Sequence, residues 1–306
     1  MDRRIDLHLH TTASDGTLTP TELVARAKGI GLSAIAITDH DTIGGVREGL
    51  AAGAELGIEV VPGVEIGIAH DPSRHLVEID ILGYFVDPEH PELVEALELL
   101  QKAKNDKLFT QLAVLAQNGY EIESGEVLAV AAGDTVRRPH IWKVLRERYP
   151  ELRAEVFFDN TSFGGDWHVT RDFSLTLEAT VDLIERAGGV SSIAHPGAYN
   201  ETFTKHRELL DRNVDTAIGH CLDAGVRGIE VYYTYDKNRP FHDKTGSLIT
   251  PDERDELIAH YASIASERGV LMTGGTDFHG SNKPQIEVGE LDIPFEILER
   301  LKRARP

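Results

Sequence analysis

The sequence predicts an α/β fold built on a parallel sheet or barrel, and three observations predict it. Short apolar strands alternate with amphipathic helices at both ends of the chain. Four predicted strands end in metal-ligand side chains: His8-Leu9-His10 with Asp15 just beyond, Thr38-Asp39-His40-Asp41, Ala194-His195-Pro196 and Asp277-Phe278-His279. His10, His40, Glu65, His195 and Asp277 all fall at the carboxyl ends of strands, where such folds carry their function.

The elements follow in order. Ile5–His10 reads as a strand, and Thr19-Pro20-Thr21-Glu22 as a helix start with proline at the first helical position. Leu23, Ala27 and Ile30 mark that helix's apolar face, and Gly31 ends it. Ser33–Thr38 is a buried strand, Ile43–Leu56 a helix closed by Gly57, and Ile58–Val64 a third strand. A less regular pair lies around Leu76–Val86.

From Pro91 to about Phe173 the rhythm changes to helices: a long one through Leu99, Leu108 and Leu115, and shorter ones near Val127 and Ile141. The turn-rich run from Asp159 to Asp166 reads as a loop. We therefore expect a barrel from residues 1–90 and 174–306, with 91–173 as a helical insertion covering the active site. The rhythm resumes with helix Leu177–Ala187, strand Val190–Ala194, a helix near Val214–Ala224, strand Gly228–Tyr232, helix Pro251–Arg268 and strand Val270–Gly274.

Composition narrows the function. At 306 residues with 41% hydrophobic content the chain can bury a substantial core. No apolar run approaches the ~20 residues of a membrane span, and Met1 to Asp6 does not begin a signal peptide. The single cysteine, Cys221, fits a helical core pattern and a reducing compartment, so a cytoplasmic location is expected. A net charge of −20 argues against duplex nucleic acid as a partner, but bound divalent cations would make a local site positive and open it to a small anion.

Strand side chains alternate with period two, so His8 and His10 share a face, as do Asp277 and His279. Two such pairs from opposite ends of the chain point to one shared metal centre. In 38–42, His40 is the ligand candidate, with Asp39 or Asp41 either orienting it or capping the helix that follows. Glu65, after Pro62-Gly63-Val64, offers a carboxylate able to bridge two metals, in a site otherwise rich in neutral imidazole. Gly274-Gly275 lets the backbone crowd that centre. With no cysteine among the ligands, the set suits manganese, iron or zinc.

These segments together (8–16, 37–42, 62–66, 194–197 and 277–279) closely resemble the PHP family, named for polymerase and histidinol phosphatase. Within it the chain looks most like phosphoesterases acting on nucleotides, among them 3′,5′-nucleoside bisphosphate phosphatases and related 5′-to-3′ exoribonucleases. The resemblance implies a distorted (β/α)7 barrel with a helical insertion and two or three divalent metals, Mn2+ expected, with Fe or Zn as alternatives. By motif match His8, His10, Glu65 and Asp277 would hold one metal, and Asp15, His40 and His279 a second. Glu65 and His195 would share a third with the residue at position 80, where this chain has Asp80 in place of the usual histidine. A shorter aspartate is expected to fall out of reach, leaving two well-filled metals, unless it ligates or His75 takes its place.

Arg138-Pro139-His140 resembles the family's Arg-x-His element, which implies that Arg138 meets the substrate phosphate and His140 donates a proton to the leaving alkoxide. A solvated helix start is the plain alternative. Ala198 stands where relatives often carry arginine. Glu230 is expected to bind a substrate hydroxyl, and Tyr232, Tyr233 and Tyr235 either stack on a base or pack in the core. The expected reaction is hydrolysis of a phosphate monoester by a metal-bound hydroxide, on a nucleotide or short RNA. Histidinol phosphate is the alternative substrate, and a non-catalytic metal or nucleotide sensor the alternative of another class.

Overall fold

Seven strands lie side by side in chain order, β1 to β7, as a single sheet curled into a nearly closed barrel. This computed structural model describes residues 3–131, 136–196, 214–237 and 249–306. The strands are β1 (Ile5–Asp6), β2 (Ala34–Ile37), β3 (Glu59–Gly67), β4 (Asp80–Tyr84), β5 (Val190–Ile193), β6 (Gly228–Tyr232) and β7 (Leu271–Gly274). The first and last strands meet through Leu7 N–H to the Gly274 carbonyl (3.2 Å) and a parallel bridge between Leu9 and Phe278. Ile5–His10 is thus a regular strand only at Ile5–Asp6, and its remainder follows the segment after β7.

The sheet is not wholly parallel. β4 runs antiparallel to both β3 and β5, while the other neighbours are parallel. Only a 3₁₀ turn (Pro72–Arg74) links β3 to β4, too little chain for the helical crossover that a parallel pair needs. β3 also runs on to Gly67, so Glu65 lies within a strand and not beyond its end.

The barrel helices are α1 (Pro20–Gly29), α2 (Val46–Leu56), α7 (Leu177–Arg186), α8 (Val214–Asp223), α9 (Pro251–Arg268) and α10 (Glu296–Arg303). α1 starts as its sequence demands: Thr19 and Glu22 cap each other's backbone N–H, with Pro20 at the first position. α9 repeats the device with Thr250, Pro251 and Glu253. α2 begins three residues later than Ile43, and Gly57 closes it in the left-handed conformation at φ 67°. α10 buries Ile297, Leu298 and Leu301 against β1 and β2 residues.

Between β4 and α7 lie α3 (Pro91–Gln117), α4 (Ser124–Ala131), α5 (Arg138–Arg148) and α6 (Ala154–Thr161). α3 serves two cores. Leu93, Leu97 and Leu100 join the barrel core, whereas Leu108 and Leu115 join a separate cluster with Ile141, Leu145, Phe157 and Trp167. Leu99 does not belong to the buried face: it is 45% exposed, because the stripe runs through Leu97 and Leu100. The expected loop at 159–166 begins only after Thr161, since α6 carries Asp159 to Thr161. Among the described residues no helix is long and apolar enough to cross a membrane.

Candidate metal centre at the barrel mouth

The carboxyl ends of β1, β2, β3, β5 and β7 bring His8, His10, His40, Glu65, His195 and Asp277 together, all buried. Backbone strain marks the place: Asp277 has φ 57° and His195 φ 26°, a region that side chains with a Cβ avoid unless held there. Gly275 allows the approach, since a Cβ there would lie 2.3 Å from both the backbone nitrogen and Cβ of His8.

Four donor atoms converge. His8 Nε2 lies 3.1 Å from His10 Nε2, 3.3 Å from Glu65 Oε2 and 3.6 Å from Asp277 Oδ1. His10 Nε2 lies 3.3 Å from the same Glu65 oxygen and 3.1 Å from Asp277 Oδ1. Ligands ~2.0–2.2 Å from one metal stand roughly 2.8–3.6 Å apart, from octahedral neighbours to tetrahedral ones. The spacings fit a shared cation. Glu65 Oε2 is also buried without a hydrogen-bond partner, as a metal-ready donor is.

Asp15, His40 and His279 form a neighbouring set with His10, their ligand atoms all within 4.8 Å of one another. His279 Nε2 lies 3.3 Å from Asp15 Oδ1, and the ring's Nδ1 meets the Asp277 backbone carbonyl at 2.9 Å. One neutral imidazole has a single free lone pair, so His10 can serve only one of the two sets. Glu65 spans the sets, with Oε2 2.9 Å from His40 Nδ1 and Oε1 2.9 Å from His195 Nε2.

Asp80 departs from expectation. As the first residue of β4, paired with Gly67, it brings a carboxylate oxygen within 4.8 Å of His40 and Glu65 ligand atoms. The shorter side chain is therefore within reach. His75 belongs to none of these sets; it closes the Pro72–Arg74 turn at φ 60°.

Electrostatics sort the donors. Burial opposes ionisation of Glu65, but His40 and His8 hold it well below the usual carboxylate range. Against burial, His279 and His40 do the same for Asp15, and Lys283, His279 and His8 for Asp277. Burial, aided by His279, pushes His10 down to about 4, and burial with Arg137 holds His40 well below its ordinary value. Burial notwithstanding, Glu230, Glu65 and Asp277 draw His8 well above it. Burial and the nearby Glu65 charge raise Asp80 to about 6. Ionised carboxylates beside the neutral imidazoles of His10 and His40 make a donor set for divalent cations, and a cation there would take the place of the proton that the carboxylates draw to His8.

Supporting residues set the ligands' orientation. Glu230 is fully buried and lies beneath the ligands, with Oε1 3.0 Å from His8 Nδ1, so the expectation that it binds a substrate hydroxyl is corrected. Tyr233 donates to Asp277 Oδ2 at 2.7 Å and Tyr235 is core, so neither offers a stacking face. Asp39 does not orient His40: it accepts from Thr11 N–H (2.8 Å), Thr11 Oγ1 (2.6 Å) and Ser14 Oγ (2.5 Å), shaping the loop that presents Asp15. Asp41 pairs with Lys104 of α3 and lies 3.5 Å from Arg137 Nη1.

The Arg137-Arg138 pair divides. Arg137 points to the metal ligands, Nε 3.6 Å from Asp15 Oδ2. Arg138 instead donates to Ser162 Oγ at 2.7 Å and lies 3.4 Å from Glu78 Oε1. His140 is buried, and the Arg137 backbone N–H donates to its Nδ1 at 3.2 Å, which leaves its ring proton on Nε2. Burial lowers His140 from its ordinary value. A cleft of about 170 Å³ opens beside it, lined by Thr12, Thr17, Lys143 and Asn282. Ala198 lies outside the described residues.

Lys104, Lys283 and Arg171 escaped the sequence reading, since cations on helices and loops carry no motif. One signal was available: three lysines within six positions of α3 (Lys102, Lys104, Lys107) in a chain with 51 acidic and 31 basic residues.

A buried His/Asp/Glu cluster at the mouth of a seven-stranded α/β barrel defines a metal-dependent hydrolase site. Residues 6–271 match the PHP domain, and the chain belongs to the PHP family of metal-dependent phosphoesterases. It is 30% identical to a 3′,5′-nucleoside bisphosphate phosphatase of Chromobacterium violaceum over 304 residues, covering 95% of this chain and 92% of that one. It is 31% identical to the 5′-3′ exoribonuclease Rnm of Escherichia coli, covering 93% of this chain and 87% of the other. A solved structure from Bifidobacterium adolescentis, described as a metal-dependent phosphoesterase, superposes with a TM-score of 0.77 at 26% identity, over 98% of this chain and 95% of its own.

Proposed function

We propose that this chain hydrolyses a phosphate ester of a nucleotide: a monoester of a nucleoside 3′,5′-bisphosphate or, in an exoribonuclease-like reaction, the ester that links the 5′ nucleotide of a short RNA to the next. One observation carries the reading: donor atoms 3.1–3.6 Å apart lie near Asp15, which Arg137 approaches at 3.6 Å and whose charge His140 feels, so a cation and a ring donor suited to a phosphate stand next to the candidate metal centre. The similarity to the bisphosphate phosphatase and the exoribonuclease supports a nucleotide in preference to a small amino alcohol.

His8, His10, Glu65 and Asp277 would hold one divalent cation, and Asp15, His40 and His279 a second, with Glu65, His195 and Asp80 available to a third. When bound, such ions polarise the phosphoryl oxygens and lower the pKa of water, supplying nucleophile and charge balance. Manganese suits this oxygen- and imidazole-rich set, and Asp80 in place of an imidazole hardens it further.

The chain's own residues do the rest. Arg137 neutralises charge on the phosphoryl group, its fork turning from Asp15 and Asp41 to the incoming anion. His140 Nε2–H donates a hydrogen bond to a phosphoryl or leaving oxygen; with Nδ1 already accepting from Arg137 N–H, it acts as a neutral donor and not as an imidazolium acid. Arg138 remains a substrate contact, one step further from the reacting phosphate. The cleft beside His140 leaves room for the alcohol part of the ester.

The test is a substrate screen with added Mn2+, comparing nucleoside 3′,5′-bisphosphates, mononucleotides, 5′-phosphorylated oligoribonucleotides and histidinol phosphate. Preference for either nucleotide class, lost on chelation, is expected. Preference for histidinol phosphate, or binding without turnover of any ester, would overturn the reading.

A further inference from the structure

Asp277 turns its two oxygens to different neighbours. Oδ1 joins the candidate metal set, 3.1 Å from His10 Nε2 and 3.6 Å from His8 Nε2. Oδ2 is taken twice: the Tyr233 hydroxyl donates to it at 2.7 Å and the Lys283 ammonium at 2.5 Å. Tyr233 stands just beyond β6 and is buried. Lys283 stands just beyond a 3₁₀ turn that follows β7, with its side chain 29% exposed.

The turn that delivers Lys283 is firmly held. It spans Gly280–Asn282, and the Lys283 backbone N–H donates to the Gly280 carbonyl at 3.1 Å. Gly280 has φ 65°, and a Cβ there would strike Thr17 Oγ1. The Ser281 N–H donates to that Oγ1 at 2.9 Å, and Asn282 Nδ2 donates to the Asp15 carbonyl at 2.7 Å. Three residues thus fasten the Asp277 side of the mouth to the loop that carries Asp15, and Lys283 is the next residue along.

A carboxylate with one oxygen held by two donors offers a cation only the other. An ammonium and a divalent cation on the same carboxylate also repel each other, strongly at such spacing even in a partly solvated site. Tyr233 contributes the first effect without the second, because its hydroxyl carries no charge. Lys283 contributes both.

We propose that Lys283 is a positioning residue that confines Asp277 to ligation through Oδ1 and, by its charge, loosens the cation held there. The proposal rests on the assignment above of His8, His10, Glu65 and Asp277 to one cation, and adds what sets the strength of that binding. An ammonium that shares the carboxylate's charge leaves more of a metal ion's own charge for a phosphoryl oxygen.

Mn2+ affinity is measured by titration calorimetry on the full chain and on variants that keep a cooperative melting transition. The site is the one that His10→Ala removes. Lys283→Met should bind Mn2+ there at least ~5-fold more tightly, through loss of the repelling charge. Lys283→Arg, which keeps the charge, should stay within about threefold of the unmutated chain. Tyr233→Phe removes a hydrogen bond and no charge, and should weaken binding ~10-fold. Opposite signs from two partners of one oxygen are what a purely structural brace does not produce. Lys302→Met is the control for net charge, since Lys302 pairs with Glu59 and Glu299 at the other end of β3 from Glu65. Weaker or unchanged binding in Lys283→Met overturns the proposal, as does equal tightening in Lys302→Met or in Lys283→Arg. Mn2+ binding that His10→Ala leaves untouched overturns the ligand assignment, and the proposal with it.

Discussion

Glu230 Oε1 lies 3.0 Å from His8 Nδ1, and Glu230 Oε2 accepts the His195 backbone N–H at 2.7 Å. One buried carboxylate thus fixes the proton of one candidate ligand on the nitrogen facing away from the metal and anchors the backbone of another. Glu230→Gln, which keeps the shape and removes the charge, should weaken divalent-metal affinity ~10–100-fold by titration calorimetry while the melting transition stays cooperative. Unchanged affinity would mean that His8 needs no such partner.

Arg137 and Arg138 should separate in kinetics. On a substrate with a single phosphate, Arg137→Met should lower kcat/KM ~10–100-fold, the loss of a charge-assisted contact of about 1.5–3 kcal/mol. Arg138→Met should change it by less than about threefold, since its guanidinium is occupied by Ser162 and Glu78. The reverse order would return the reacting phosphate to Arg138.

His140 should tolerate replacement by a neutral donor. Because Arg137 N–H already fills Nδ1, His140→Gln should keep activity within roughly tenfold, whereas His140→Ala should lose about 100-fold or more. Equal losses in the two variants would restore a proton-donating imidazolium.

Asp80→His tests metal preference. Exchanging an anionic oxygen for a nitrogen at a site that reaches His40 and Glu65 should shift bound metal from manganese towards zinc, measured by elemental analysis after dialysis against both. Identical metal content would remove Asp80 from the ligand set.

Cys221 should be inert. Burial pushes its thiol up to about 12, so almost no thiolate forms at pH 8 and aromatic disulfide reagents should label it only after unfolding. Fast labelling of the native chain would place it at an accessible surface.

The candidate ligands were legible because His8 with His10 and Asp277 with His279 stand two residues apart just beyond strand-like apolar runs, although the structure holds Asp277 at φ 57°, outside strand geometry. Their helpers were not. Glu230 looks like any strand-end carboxylate until the barrel closes over it, and Lys104 and Arg171 acquire meaning only when α3 and the chain beyond α6 settle on the mouth. Periodicity placed the main helices, but it misjudged Leu99 by one step around α3. It is also blind to strand direction, so the reversal of β4 escaped it, and no strand–helix rhythm announces α10. The Asp159–Thr161 run has turn composition and is helical because packing of Phe157 in its core outweighs local preference.

The meeting of Leu9 with Phe278 also sets a timetable for synthesis. His8 and His10 leave the ribosome on the order of 270 residues ahead of Asp277 and His279, roughly 15–50 s at ordinary elongation rates. Throughout that interval the two candidate ligand sets that include Asp277 or His279 stay open, and they would close only as the last strand docks. A polypeptide released early, before β7, would keep only the set of His40, Glu65 and Asp80.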